Sequence, residues 1–124
     1  MKKIYHIGLE YTLDIISGKW KGYILCHLGN SPMRTNELKR KMNNISQKVL
    51  TEQLKDLEKH NIIKKTVYNE TPPRVEYSLT DEGRTLRDIL ISMSIWGEES
   101  IKRKQEKGEK IDIINNNHEG FINM

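Results

Sequence analysis

Gln47, Lys48, Thr51, Glu52 and Lys55 recur at the spacing of one helical face, with Ser46 immediately before them. Residues three and four apart on an α-helix are neighbours, so these side chains form one row of amide, ammonium, hydroxyl and carboxylate groups. Groups of that reach can hydrogen-bond the edges of nucleic-acid bases: an amide pairs with adenine at two points, a lysine with guanine, a hydroxyl with either. Leu50, Leu54 and Leu57 fall on the other side of the same segment and give it an apolar face to bury. A second basic group follows, with Lys64 and Lys65 on an extended run and Arg74 in the turn after it. Such cations suit phosphates, and an arginine can also lie in a narrow minor groove. Glu76, two residues beyond Arg74, is an internal partner that would compete for it.

Other chemistries lack their residues. Nucleophilic catalysis requires a nucleophile with a base and an orienting group, and acid–base catalysis often uses paired carboxylates; neither set is visible, nor is a phosphate-cradling glycine loop. An enzyme is therefore not expected. His6, His27, His60 and His118 are scattered without metal-ligand spacing. The single cysteine, Cys26, excludes an internal disulfide and a cysteine-based zinc cluster within one chain. No cofactor or metal is implied, and the residues identify no small-molecule effector.

The elements that must position these groups fit one domain, because 124 residues support a single modest core. Lys and Arg number 21 against 17 Asp and Glu, a formal charge of +4 that favours polyanionic partners. Aromatic residues are 6% of the chain, few for the stacking platforms that read single-stranded RNA. No apolar run approaches the roughly 20 residues of a membrane span, and none follows Met1-Lys2-Lys3, so a soluble cytoplasmic protein with no membrane partner is expected.

Leu9, Leu13 and Ile16 predict a short first helix ending before Ser17-Gly18. Trp20, Ile24, Leu25 and Leu28 predict a second over 19–28, stopped by Gly29-Asn30-Ser31-Pro32. Thr35 can cap a third helix carrying Leu38 and Met42, and the Asn43-Asn44 turn leads to Ser46 as cap of a fourth, to about Lys59. Helix, short turn and capped helix is the helix-turn-helix layout. Period-two alternation over 62–68 and 75–79, joined through Asn69-Glu70-Thr71-Pro72-Pro73, predicts a β-hairpin with a stiffened tip. Thr80-Asp81-Glu82-Gly83 caps a long last helix. Its inner stripe is read as Leu86, Ile89, Leu90, Met93 and Gly97, with Ile91 and Ile95 nearly opposite. Beyond Ile101, charge over 102–110 and Asn115 to Asn117 predict a frayed end. The organisation expected is a DNA-binding and dimerisation domain over 1–108 and a disordered tail over 109–124.

The element order, with SGKW at 17–20, ISQKVLTEQLKDLE at 45–58, PPRVEYSLTDEG at 72–83 and the Trp96-Gly97 pair, resembles the HxlR family of winged helix-turn-helix regulators, relatives of the MarR-like group. The resemblance covers roughly residues 6–100 and implies a mainly α fold with a small β-hairpin wing. It implies a transcriptional regulator specific for double-stranded DNA, with a recognition helix over about 46–59 in the major groove and a wing over about 62–79 on the backbone or minor groove. The DNA-binding set is then Thr35, Ser46, Gln47, Lys48, Thr51, Lys55, Lys64, Lys65 and Arg74. A protein-interaction module on the same helices is the alternative, and it would bind DNA weakly and without regard to sequence.

Leu9 and Leu13 of the first helix, with Ile91, Ile95 and Trp96 of the last, are the expected homodimer interface, because one small domain cannot bury both faces of its last helix. A two-fold dimer implies an inverted-repeat operator. Redox-sensing members of the family carry a cysteine fourteen residues before the tryptophan of the GKW string, and that place is His6 here. Their thiol chemistry does not transfer. Cys26 is expected at a partly exposed boundary near a helix C-terminus, where the dipole disfavours a thiolate and no cation lies one turn away.

Overall fold

The computed structural model describes residues 2–114 and 118–124. Helices α1 (Gly8–Ile16), α2 (Lys21–Asn30), α3 (Thr35–Lys41) and α4 (Gln47–Lys59) precede strands β1 (Ile63–Tyr68) and β2 (Arg74–Leu79). Helices α5 (Asp81–Arg84), α6 (Arg87–Glu106) and α7 (Glu119–Ile122) follow. The core gathers Ile24, Leu25, Leu38, Met42, Leu50, Leu54, Leu57 and Ile63, each essentially buried. All four helices before the hairpin contribute to the core, Ile15 and Ile16 doing so for α1.

The helix-turn-helix is α3, its turn and α4. Asn44 holds φ 70°, a left-handed conformation that Asn tolerates better than most residues, and this reverses the chain. Ser46 Oγ then accepts from the Val49 N–H at 3.1 Å, satisfying one of the donors a helix N-terminus leaves free. The strands pair antiparallel, from Ile63 opposite Leu79 to Tyr68 opposite Arg74. Met33, between α2 and α3, adds a bridge to Tyr77 through two backbone hydrogen bonds of 3.0 and 2.8 Å. The hairpin is thereby tied to the helix-turn-helix.

Three expectations change. Arg34, not Thr35, is the N-cap of α3; its N–H donates to Glu37 Oε1 at 3.0 Å, and Thr35 occupies the first helical position. The last helix begins twice, with Thr80 capping the short α5 through Gly83 N–H at 2.9 Å and α6 starting only at Arg87. The inner stripe of α6 is Arg87, Leu90, Ile91, Ser94, Gly97, Glu98 and Ile101, whereas Ile89 and Met93 are exposed. Hydropathy alone mistook the phase, because Ser94, Gly97 and Glu98 face inward.

The chain end differs too. Helix α6 runs on to Glu106, and Phe121 of α7 is 7% exposed against the core. Arg87 Nε donates to Ile122 O at 3.0 Å, and Asn123 Nδ2 donates to Asn30 Oδ1 at 2.7 Å. A Cβ on Gly29 would stand 1.9 Å from Gly120 O, and one on Gly120 would stand 1.8 Å from Cys26 O, so glycine alone permits this contact between α2 and α7. Asn115 to Asn117 lie outside the described residues.

Candidate nucleic-acid interface

Helix α4 presents two chemically distinct faces. Leu50, Leu54 and Leu57 are at most 1% exposed, while Ser46, Gln47, Lys48, Glu52 and Lys55 stand in solvent and Thr51 is half-buried. Gln47 Nε2 lies 3.4 Å from Thr51 Oγ1, so the amide and hydroxyl expected to read bases are adjacent. The structure thus brings Ser46, Gln47, Lys48, Thr51 and Lys55 to one surface, with Thr35 at the start of the preceding helix.

An ion pair anchors α4 from beneath. Lys21 at the start of α2 is 8% exposed, and its ammonium hydrogen-bonds Asp56 Oδ2. The Lys21 ammonium holds the Asp56 carboxyl below its ordinary range, with help from His60 and Lys59 and against some desolvation. His60 Nδ1 lies 2.9 Å from Asp56 O at the end of the helix. A buried lysine and a distant aspartate carry no local sequence pattern, so this pair was not foreseen.

The hairpin differs from its expectation at one residue. Lys64 and Lys65 are exposed, as phosphate contact requires. Arg74 instead lies with its guanidinium carbon 4.0 Å from the centroid of Tyr68, 3.3 Å from Glu70 Oε1 through one terminal nitrogen and 3.6 Å from Glu76 Oε2 through the other. Two carboxylates and a ring already occupy it, so the wing tip is close to neutral. Sequence reasoning also passed over Arg34, just before α3, and Lys39 and Arg40 within it, exposed cations of which the last two were signalled by the ELKRK run at 37–41.

A match to the HxlR-like helix-turn-helix family model spans residues 15–105, including both helices of the motif, the hairpin and nearly all of α6. The chain belongs to the HxlR-like helix-turn-helix family. It is 52% identical over 102 residues to the uncharacterized HTH-type transcriptional regulator YtcD of Bacillus subtilis, covering 82% of this chain and 81% of that one. Identity to YkvN of the same organism, another uncharacterized HTH-type regulator, is 43% over 109 residues, 88% of this chain and 92% of that one. Among solved structures, the redox regulator HypR in its reduced form superposes with a TM-score of 0.75 at 44% identity, covering 79% of this chain and 97% of HypR. The protein is a DNA-binding transcriptional regulator with a winged helix-turn-helix fold.

The apolar surface outside the motif lies on the other expected elements. Leu9 and Leu13 of α1 are 59% and 39% exposed, and Trp96 of α6 is 68% exposed with Ile95 beside it. Ile89, Met93 and Trp96, at spacings of four and three, form one outward stripe on α6. Ile91 packs on the chain's own core instead. Cys26 is half-covered by α7; burial pushes its thiol up, opposed in part by the backbone N–H groups of Gly120 and Phe121. Among the described residues no group of three or more His, Cys, Asp or Glu is placed to hold a metal ion, and no helix is long and apolar enough to cross a membrane.

Proposed function

We propose that the chain is a cytoplasmic, non-enzymatic homodimer that reads an inverted-repeat operator with its two α4 helices. Gln47, Thr51 and Lys48 contact base edges in the major groove, and Ser46, Thr35 and Lys55 border them. Lys64 and Lys65 of the wing, with Arg34, Lys39 and Arg40 around α3, neutralise phosphates and set register without selecting sequence. Arg74 shapes the wing through Tyr68, Glu70 and Glu76. The observation that carries this reading is the division of α4, capped by Ser46, into a fully buried leucine face and an exposed donor–acceptor face.

Leu9, Leu13, Ile89, Met93, Ile95 and Trp96 make the two-fold interface. Helix α6 is about 30 Å long at 1.5 Å per residue, ample for packing side by side with a symmetry mate. Selection of bound duplexes from a random pool tests the reading, together with the mass of the free protein at micromolar concentration. The expected outcome is a dimeric mass and an enriched inverted repeat with half-sites about one helical turn, or a multiple of it, apart. A monomeric mass, an asymmetric motif or no enrichment would contradict it; the last is what a protein-interaction module would give.

A further inference from the structure

Between α2, the inner face of α6 and the C-terminal segment lies an open-sided cavity of about 420 Å³. Small-molecule sites typically occupy roughly 300–1,000 Å³. Its walls are chiefly apolar, from Ile16, Leu90, Met93, Ile101 and Phe121. Ser94 and Glu98 of α6 and His118 also face it, with His118 Nδ1 3.0 Å from Glu98 Oε2. A few polar groups in an apolar wall are the usual composition of a site that orients an organic ligand.

Two glycines show that the space is kept open. Gly22 on α2 and Gly97 on α6 both line the cavity, and a Cβ on either would meet nothing within 4 Å. Glycine inside a helix costs roughly 0.5–1 kcal/mol relative to alanine. Neither residue has the positive φ that would demand glycine, and neither is pressed by a neighbouring backbone as Gly29 and Gly120 are. What they supply is a pair of walls without side chains, which suits a flat molecule.

We propose that this cavity binds a small, planar, mostly apolar organic molecule bearing one hydrogen-bond donor, such as a phenol, whose donor meets the Glu98 carboxylate. The His118 contact uses Oε2, and a carboxylate accepts at both oxygens. A second copy of the chain is the less fitting occupant. The apolar stripe of α6 points outward through Ile89 and Trp96 and meets the cavity only at Met93 on its rim, whereas the rest of the lining belongs chiefly to the inner face of α6 and to the chain's own α2, Phe121 and His118. The site stands independently of how the protein reads DNA.

The probe is 1-naphthol, titrated into the full-length chain and followed by its fluorescence, with naphthalene as the analogue lacking a donor. Saturable binding of one naphthol per chain is expected, with naphthalene at least about tenfold weaker for want of a hydrogen bond to a charged acceptor. Gly97→Leu should fill the space and abolish naphthol binding while leaving the helical circular dichroism spectrum and the solution mass unchanged. Gly22→Leu fills it from the opposite helix and gives the same answer if Gly97→Leu does not fold. Non-saturable binding to the wild type, or undiminished binding to a folded filled variant, would overturn the proposal. So would a change of oligomeric mass in Gly97→Leu, which would assign the space to a second copy.

Discussion

Removing the carboxylate of Asp56 should loosen the recognition helix from beneath without touching its reading face. Lys21 is 8% exposed, so Asp56→Ala leaves an almost buried ammonium without the partner the structure shows for it. Breaking a fully buried pair costs about 3–5 kcal/mol. The Asp56 side chain is 37% exposed, so solvent screens the pair and the expected loss falls to about 2 kcal/mol. At about 4 °C per kcal/mol for a chain of this size, the melting temperature should drop by about 8 °C. Lys21→Met removes the buried charge and leaves Asp56 at the surface, so it should stay within about 1 kcal/mol of wild type. The folded-state carboxyl titrates below its unfolded value, so the pair's stabilisation is complete above about pH 4 and fades as the pH falls through the lowered value. Calorimetric melts of the three proteins at one protomer concentration, at pH 7 and at pH 3, measure this. Equal melting of Asp56→Ala and wild type at pH 7, or an equal penalty for both variants, would refute the reasoning.

Other elements give sharp expectations. Lys64→Ala should lower the slope of log affinity against log salt by about one, whereas Arg74→Ala should leave that slope unchanged, because Glu70, Glu76 and Tyr68 already hold the guanidinium; titrations over a salt series decide it. Trp96→Glu, at a residue 68% exposed in one chain, should leave the fold intact and shift the solution mass toward the monomer by sedimentation. Wild-type Cys26 should react slowly with a thiol reagent, and Phe121→Ala should accelerate labelling about tenfold for each 1.4 kcal/mol by which the α7 contact weakens. Labelling at one rate in both proteins would mean that α7 does not cover the thiol.

What could be read from the sequence was local and periodic. Helix α4 lies where its leucine spacing and Ser46 place it, and both strands match their alternation to within a residue. One miss is a local competition, and the others share a non-local cause. Thr35 and Arg34 compete to cap α3, and the winner depends on where Glu37 can fold back, not on hydroxyl propensity alone. The inward phase of α6 includes Ser94, Gly97 and Glu98, which become interior only because α2 and the C-terminal segment lie against them. Phe121 lies in the end that charge and asparagine marked as frayed; the Gly29–Gly120 approach, ninety-one positions apart in the chain, makes it core. Lys21 with Asp56, and Arg74 with Glu70 and Glu76, are pairings of common surface residues whose partners only the fold selects.

The central claim is that α4 reads base edges, and parallel selection from one random duplex pool by wild type and by Gln47→Ala tests it most directly. The account predicts the same inverted repeat from both, with one symmetry-related pair of positions losing its base preference in the variant. On the wild-type site, Gln47→Ala should lose about 1–3 kcal/mol, and on random duplex much less. An identical motif with undiminished preference at every position, or equal losses of affinity on both duplexes, would contradict base reading by this helix.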